Sequence, residues 1–193
     1  MKTLIVYTHP NPRSFNHTIL KMIERDLTQK GHEVRVRDLY AEGFNPVLGA
    51  TDFVDFAQGR VPEDIQREQK MLEWASHLVF IYPIWWWERP ALLKGWIDRV
   101  FSNGFAFSYG EGGVKGLLKH QKALVIQTAG NTDEELARDK VLEVLQRPMT
   151  EGTLEFCGIS DVRVRTFGSV SKATPEQFES ILTEIREKFL ADW

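Results

Sequence analysis

The sequence predicts a doubly wound α/β fold, in which a parallel sheet of five strands carries helices on both faces. Short apolar runs alternate along the chain with longer amphipathic segments, and this alternation is typical of successive β-α-β units. Two of the runs, residues 4–7 and 78–81, are almost wholly apolar, as expected for strands that are covered on both faces. Right-handed crossovers leave few topologies, and we expect the strand order 2-1-3-4-5.

The predicted strands span residues 3–7, 33–38, 77–83, 122–128 and 162–167. The predicted helices span residues 16–30, 62–75, 90–101, 133–147 and 175–190. Gly31 follows the first helix where glycine commonly ends one, and Pro62, Pro90 and Pro175 suit a first helical turn. Long loops are predicted at 40–61 and 102–120. Because the chain has 193 residues, we expect residues 1–193 to form one domain.

Composition excludes several classes of protein. Lys and Arg number 24 and Asp and Glu 27, so the net charge is −3, and a nucleic-acid binder would need a basic surface. The single cysteine, Cys157, predicts a reducing, cytoplasmic location and no cysteine-based metal site. The longest apolar run, residues 78–87, is half the length of a membrane span and contains Pro83. We therefore expect no membrane insertion and no nucleic-acid partner.

In parallel sheets of this kind, ligands bind beyond the carboxyl ends of the strands, so the loops that follow strands one, three and four are the candidates. The first of these loops carries His9, Ser14 and Asn16 at the start of a helix, where free backbone N–H groups favour an anion. Arg13 adds positive charge, and two prolines stiffen the loop. This pattern favours a phosphate site, although Ser14 or Asn16 could equally be a simple N-cap.

The loop after strand three contains Trp85, Trp86 and Trp87. A strand would point these indoles to opposite faces, whereas a loop lets them form a wall for a flat ligand; the alternative is that they are core and subunit-interface aromatics. The loop after strand four, at 127–132, has small residues that let backbone N–H groups approach a ligand. A phosphate site, an aromatic wall and a donor rim together match flavin mononucleotide (FMN).

At these residues the chain resembles the flavodoxin-like NAD(P)H:quinone oxidoreductase family, which includes diaphorase-type quinone reductases and flavoprotein subunits of potassium-efflux systems. The most specific block is Pro-Ala-Leu-Leu-Lys-Gly-Trp-Ile-Asp-Arg-Val-Phe at 90–101. The likeness covers nearly the whole chain and also involves the segments 9–10, 14–16, 44–46, 64–69, 83–87, 105–109 and 156–158.

The resemblance implies a flavodoxin-like three-layer fold, a bound flavin and a homodimer with active sites at the subunit interface. It implies no catalytic nucleophile or general acid, and no metal. Trp87, Phe107 and Tyr109 would contact substrate, the last two reaching from the partner subunit. The implied cofactor-binding residues are His9, Ser14, Phe15, Asn16, Pro83, Ile84, Trp85, Trp86, Trp87, Gln127, Thr128, Ala129, Gly130 and Asn131.

Two departures from the family pattern bear on the cofactor. Diaphorase-type members have a Tyr and a His after strand four that manage charge on the reduced flavin, and residues 133–141 contain neither. That role would fall to the backbone N–H groups of residues 129–131 or to solvent. The chain also lacks the C-terminal region that contacts the adenine half of FAD in longer members, so FMN is expected, with FAD as the alternative.

The expected function is two-electron transfer from NAD(P)H to a quinone or related aromatic acceptor by a ping-pong mechanism. The alternatives are a regulatory flavoprotein subunit of a potassium-efflux antiporter and a flavodoxin-type electron carrier. Cys157 and Arg163 have the C-x5-R spacing of small phosphatases, but Asp161 between them would repel phosphate. His77 and His120, at strand starts, are expected to be surface or capping residues.

Overall fold

The structure is a computed structural model that describes residues 1–138 and 140–193. Its main sheet has five parallel strands in the order β2-β1-β3-β6-β7, and β4 and β5 form a separate antiparallel hairpin. This confirms the predicted fold class and strand order. The strands are β1 (Lys2–Tyr7), β2 (Glu33–Asp38), β3 (His77–Pro83), β4 (Phe107–Gly110), β5 (Gly113–Gly116), β6 (Lys122–Thr128) and β7 (Val162–Phe167).

Seven α-helices lie in the described part of the chain, and a π-helical turn follows two of them. The π-helical turns span Thr150–Glu155, after α6, and Ile185–Phe189, after α7. The helices are α1 (Phe15–Gln29), α2 (Ala50–Ala57), α3 (Glu63–Trp74), α4 (Ala91–Val100), α5 (Asp133–Ala137), α6 (Val141–Gln146) and α7 (Pro175–Glu184).

Both faces of the sheet are covered, because alternate residues of the central strands enter different cores. Leu4 and Phe80 pack with Trp96 of α4 in one cluster. Ile5 and Ile81 pack with α1 and α7 in the other. Residues 78–81 of β3 are completely buried, which explains why the sequence of this strand is continuously apolar.

The predicted helix at 133–147 is wrong as a single element. The structure has α5 and α6 instead, because Arg138 takes an extended backbone and Lys140 lies in the left-handed region with φ of 62°. Residue 139, within the predicted helix, lies outside the described residues. Gly31 ends α1 with φ of 83°, as predicted.

The two long loops contain secondary structure that was not predicted. α2 lies in the first, and the β4–β5 hairpin lies in the second. α2 exposes Phe53 and Val54, whereas Asp52 is its buried residue. The helix therefore turns part of its apolar surface outward and buries a carboxylate, unlike a typical surface helix.

Arg99 of α4 is buried and binds the first long loop and the start of α3. Its guanidinium donates to both carboxylate oxygens of Asp52 at 2.8 and 3.0 Å, to Asp64 at 2.5 Å and to the carbonyl of Asn45 at 3.0 Å. Next to it, a Cβ atom on Gly95 would overlap Pro46. The segment that contains Asn45 and Pro46 is thus held against α4 by charge and by close backbone packing.

Three histidines lie at the amino-terminal edge of the sheet. His32, His77 and His120 are buried, so His77 and His120 are not surface residues, and of the two expected roles only the capping role remains. The Nε2 atom of His120 lies 2.9 Å from the carbonyl oxygen of Leu72. Burial lowers the pKa of each imidazole, and for His77 the neighbouring charges of His32 and Lys122 lower the pKa further.

The free energy of unfolding is expected to fall as the pH is lowered from 7.5 to 5.5. Each imidazole has a lower pKa in the folded state than its ordinary value of about 6.5, so the unfolded chain binds more protons below that pH. The loss is complete only below the folded pKa. Each histidine can contribute a slope of up to about 1.4 kcal/mol per pH unit.

Urea unfolding at pH 7.5, 6.5 and 5.5 measures this slope, and His120→Gln is expected to reduce it. A free energy of unfolding that stays constant over this range would contradict neutral burial of the three rings.

Among the described residues, no helix is long and apolar enough to cross a bilayer.

Candidate functional site

The loops that follow β1, β3 and β6 meet at the carboxyl edge of the sheet. The strand register places Tyr7 beside Ile81, and Pro83 beside Thr128, so the three loops start from neighbouring positions. Contacts join them directly. The side-chain amide of Asn16 donates to the Thr128 hydroxyl at 2.8 Å, and the amide of Ile84 donates to the carbonyl of Thr128 at 2.7 Å.

The first loop places polar groups at the start of α1. Ser14 is the N-cap, and its hydroxyl accepts from the amide of His17 at 3.2 Å. The amides of Phe15 and Asn16 follow, in the first helical turn, where no carbonyl within the helix can pair with them. The structure shows that Ser14 caps the helix, and its contact with a ligand stays a prediction.

His9 joins this loop to the tryptophan loop. Its ring lies 6.0 Å from that of Trp85, measured between centroids. The Nδ1 atom accepts from the amide of Asn11 at 3.0 Å, so the neutral ring carries its proton on Nε2. Partial burial lowers the pKa of His9, which favours this neutral form with Nε2 as a hydrogen-bond donor.

Three buried polar atoms beside this helix start have no hydrogen-bond partner among the described residues. They are the Thr8 hydroxyl, Oδ1 of Asn16 and Nδ1 of His17. An unsatisfied buried polar atom is costly, and several together call for a ligand or ordered water. Sequence reasoning missed Thr8 and His17. The signal for Thr8 was its position directly after the apolar strand β1.

The second loop is a tight turn closed by two hydrogen bonds between Trp85 and Glu88, each 3.0 Å long. Trp86 and Trp87 occupy its centre with φ of 52° and 62°. Positive φ at both central residues is the pattern of a type I′ turn, which normally takes Asn or Gly. Bulky residues pay about 1–2 kcal/mol each for this conformation, and such strain is concentrated at functional sites.

All three indoles are exposed to some degree, with exposed fractions of 39% for Trp85, 99% for Trp86 and 54% for Trp87. They are therefore not core residues of this chain, which removes one of the alternatives that the sequence left open. The turn presents its aromatic surface outward, as expected for a ligand wall or a subunit interface.

Trp86→Gly is expected to be more stable than Trp86→Ala by about 1 kcal/mol, because alanine keeps the Cβ atom that disfavours positive φ. The side chain of Trp86 is almost fully exposed, so both variants lose little packing. Urea unfolding of the pair measures the difference. Equal stability would mean that residue 86 does not occupy the left-handed region in solution.

The third loop differs in part from the sequence prediction. The amide of Ala129 donates to the carbonyl of Phe167 at 2.8 Å, so it is not free for a ligand. Gly130 is exposed, and Asn131 is half-buried. Of the three amides proposed to stabilise negative charge, those of Gly130 and Asn131 remain without a hydrogen bond to the described backbone.

The Gln127 side chain points into the core instead of toward the loops. Its Nε2 donates to the Tyr82 hydroxyl at 2.8 Å and to the carbonyl of Leu145 at 3.1 Å, and its Oε1 accepts from Thr166 at 2.6 Å. With these groups satisfied, the Gln127 side chain is a structural link between β3, β6 and β7. Gln127 is completely buried, and its backbone lies within the sheet between β3 and β7.

Comparison with known proteins places the chain in a family. The family model described as a flavodoxin-like fold matches residues 1–191. A protein of Haemophilus influenzae named an uncharacterized NAD(P)H oxidoreductase is 36% identical over 88% of this chain and 85% of the relative. The chain belongs to the flavodoxin-like NAD(P)H:quinone oxidoreductase family. The family resemblance seen in the sequence is thereby confirmed.

Two solved structures of this family's fold match almost end to end. The NAD(P)H:quinone oxidoreductase of Methanothermobacter marburgensis is 31% identical with a TM-score of 0.87, covering 96% of this chain and 94% of that one. The general stress protein 14 of Treponema denticola, solved in complex with FMN, is 30% identical with a TM-score of 0.66, covering 99% and 97%.

The hairpin residues of this family member form an aromatic cluster with a third ring that sequence reasoning missed. The Phe107 ring lies 5.5 Å from that of Tyr109 and 5.4 Å from that of Phe156, between centroids. Tyr109 is 71% exposed and Phe156 is 42% exposed. Phe156 was part of the segment 156–158 that carried the resemblance, but only the fold shows that it meets Phe107.

Cys157 follows this cluster and is buried. Burial raises the pKa of its thiol to about 11, so the thiol stays protonated at neutral pH and is a poor nucleophile. The C-x5-R spacing therefore has no phosphatase chemistry behind it.

Proposed function

We propose that this family member binds FMN at the three loops and catalyses two-electron reduction of a quinone or related aromatic acceptor by NAD(P)H. The observation that carries the proposal is the set of unsatisfied buried atoms of Thr8, Asn16 and His17 beside a helix start, next to an outward-facing aromatic turn. The FMN complex of the Treponema denticola relative supports FMN over FAD.

The residues at the helix start fit the phosphate and ribityl part of FMN. The Nε2–H of His9, the Thr8 hydroxyl and the free amides of Phe15 and Asn16 can donate to a phosphate, which the helix dipole also favours. Oδ1 of Asn16 can accept from a ribityl hydroxyl. Ser14 holds this arrangement as the N-cap of α1.

The ring part of FMN is proposed to lie between the tryptophan turn and the third loop. Pro83 and Ile84 lead into the turn, and Trp85, Trp86 and Trp87 supply backbone and indole surface. Thr128, Ala129, Gly130 and Asn131 form the opposite rim. Gln127, which was expected to contact the cofactor, lies behind this rim, since it is completely buried and its side chain is engaged in the core.

When bound, FMN supplies the redox chemistry, namely acceptance of a hydride from NAD(P)H and reduction of a quinone to a hydroquinone. The chain's own residues bind and orient the reactants. Trp87, Phe107 and Tyr109 are proposed to cover the substrate, the last two from the partner subunit of a homodimer. Nucleotide and acceptor would then use one slot in turn, which gives ping-pong kinetics.

Anaerobic stopped-flow spectroscopy tests this proposal. NADH or NADPH is expected to bleach the bound flavin in one step, and menadione, a naphthoquinone, is expected to restore its colour in a second step. Initial rates should give parallel double-reciprocal lines. Intersecting lines would contradict the shared slot, and a flavin that neither nucleotide bleaches would contradict the activity itself.

A cytoplasmic location and one domain over residues 1–193 stay predictions.

A further inference from the structure

A cavity of about 340 Å3 is lined by residues of α4, of β4 and of the π-helical turn that follows α6. Its walls include Arg89, which follows the turn directly, and Phe107 and Phe156 of the aromatic cluster. Thr153, Ile97 and Phe101 also line the cavity. The volume is that of a small-molecule subsite, and one of the residues proposed to contact substrate, Phe107, lines the cavity.

Arg89 is a buried cation with few partners. Its side chain is 7% exposed. Of its five N–H donors, those on Nη1 contact the Thr153 hydroxyl at 3.2 Å and the Met149 sulfur at 3.4 Å, both neutral groups. The Nε atom is buried and has no hydrogen bond among the described residues.

The charged neighbour of Arg89 compensates it incompletely. Oε1 of Glu88 lies 3.3 Å from Nε but accepts its hydrogen bond from the Arg89 backbone amide, at 2.8 Å. The Glu88 side chain is 48% exposed. Lys94 and Asp98 also line the cavity, and they pair with each other at 2.6 Å. Among the cations of the described lining, Arg89 is therefore the one with hydrogen-bond donors that lack a partner.

A buried guanidinium with unused donors is costly, and a carboxylate or sulfonate of a ligand would satisfy it with charge-assisted hydrogen bonds. The rings of Phe107 and Phe156 beside it would contact the aromatic body of the same molecule. An acidic aromatic compound therefore matches both the charge and the apolar walls of the cavity.

We propose that this cavity is an anion subsite in which Arg89 selects acceptors that carry a carboxylate or sulfonate. The proposal rests on the proposed function, because the acceptor must be reduced at the flavin of the partner subunit, whose substrate Phe107 is proposed to cover. It adds a substrate class, acidic quinones and related acidic aromatics, which the family assignment does not specify.

The test compares 1,4-naphthoquinone-2-sulfonate with unsubstituted 1,4-naphthoquinone as acceptors, in wild type and in Arg89→Gln. Loss of one charge-assisted contact is expected to raise KM for the sulfonate about 10- to 100-fold, while KM for the neutral quinone changes less than about threefold. Arg25→Gln, which removes an exposed cation of α1, is the matched control and should alter neither value.

Two further measurements keep the proposal testable if Arg89→Gln folds poorly. Arg89→Lys retains the positive charge and should keep most of the preference for the sulfonate. In wild type, naphthalene-2-sulfonate should compete with the quinone at a Ki at least about tenfold below that of 2-naphthalenemethanol. Equal Ki values would overturn the subsite.

The phosphates of the nucleotide are the other possible source of the anion. If they occupy the cavity, Arg89→Gln should raise KM for NADH and NADPH but not for reduced nicotinamide riboside, and the two quinones should be affected alike. That result would overturn the selection of acceptors by Arg89. If Arg89→Gln changes KM for neither the quinones nor the nucleotides while wild type still reduces both quinones, the anion subsite is wrong and the proposed function stands. If wild type reduces neither quinone, the proposed function itself fails.

Discussion

Replacement of Arg99 by methionine is expected to lower the free energy of unfolding by about 3–5 kcal/mol. The side chains of Arg99 and Asp52 are 5% and 6% exposed, so the substitution leaves a buried carboxylate without its cation. Asp64 and the carbonyl of Asn45 lose donors as well. Urea unfolding at pH 7 measures the loss, and Arg147→Met is the control.

The control removes an arginine that also makes two ion pairs. Arg147 contacts Glu143 and Glu151 at 2.9 Å each, but its side chain is 56% exposed. Exposed pairs of this kind contribute at most about 1 kcal/mol. Similar losses for Arg99→Met and Arg147→Met would contradict the buried network.

The contribution of Asp52 to the free energy of unfolding should depend on pH with opposite signs in Arg99→Met and in wild type. Hydrogen bonds from Arg99 hold the pKa of Asp52 below its ordinary value, so the pair stabilises the protein above that value and its effect is lost as the pH falls through the lowered pKa. In the variant, burial without a partner should raise the pKa of Asp52. The difference in the free energy of unfolding between wild type and Arg99→Met should therefore be smaller at pH 5 than at pH 7.

Asn16→Ala is expected to raise the dissociation constant for FMN about 10- to 100-fold, which corresponds to the loss of one or two hydrogen bonds in a buried site. Asn16 is 3% exposed, and its amide joins the first loop to Thr128 at the end of β6. Its Oδ1 atom has no partner among the described residues. Fluorescence titration of the apoprotein with FMN measures the effect.

Thr128→Val separates the two roles of Asn16. It removes the acceptor that holds the loop but leaves Oδ1 of Asn16 in place, so it should weaken FMN binding less than Asn16→Ala does. Asn103→Ala, which changes an exposed asparagine elsewhere, should leave the dissociation constant unchanged. Equal effects of Asn16→Ala and Thr128→Val would show that Asn16 acts through loop position alone.

The sheet was predictable from sequence because its central strands are covered on both faces and so are continuously apolar. The site's location followed from topology, since loops at the carboxyl ends of neighbouring parallel strands must meet. α2 was not predictable in the same way. Its buried residue is Asp52, whose partner Arg99 lies 47 positions away, so the contact that fixes this helix in place is not a local one.

The fine geometry of the site was also beyond the sequence. Trp86 and Trp87 are among the residues least suited to positive φ, so turn propensities would not place a type I′ turn there. The orientation of Gln127 follows from partners on β3 and β7, and the meeting of Phe107 with Phe156 follows from packing. Each depends on contacts between residues distant in the chain.

Uptake of FMN by the purified apoprotein tests the central proposal most directly. One FMN should bind per chain, giving a yellow protein, and binding should quench the fluorescence of the exposed tryptophans at 85–87. The same titration on Thr8→Val with Asn16→Ala should give little binding. A colourless protein that takes up neither FMN nor FAD from excess, with unchanged tryptophan fluorescence, would contradict a flavin at these three loops.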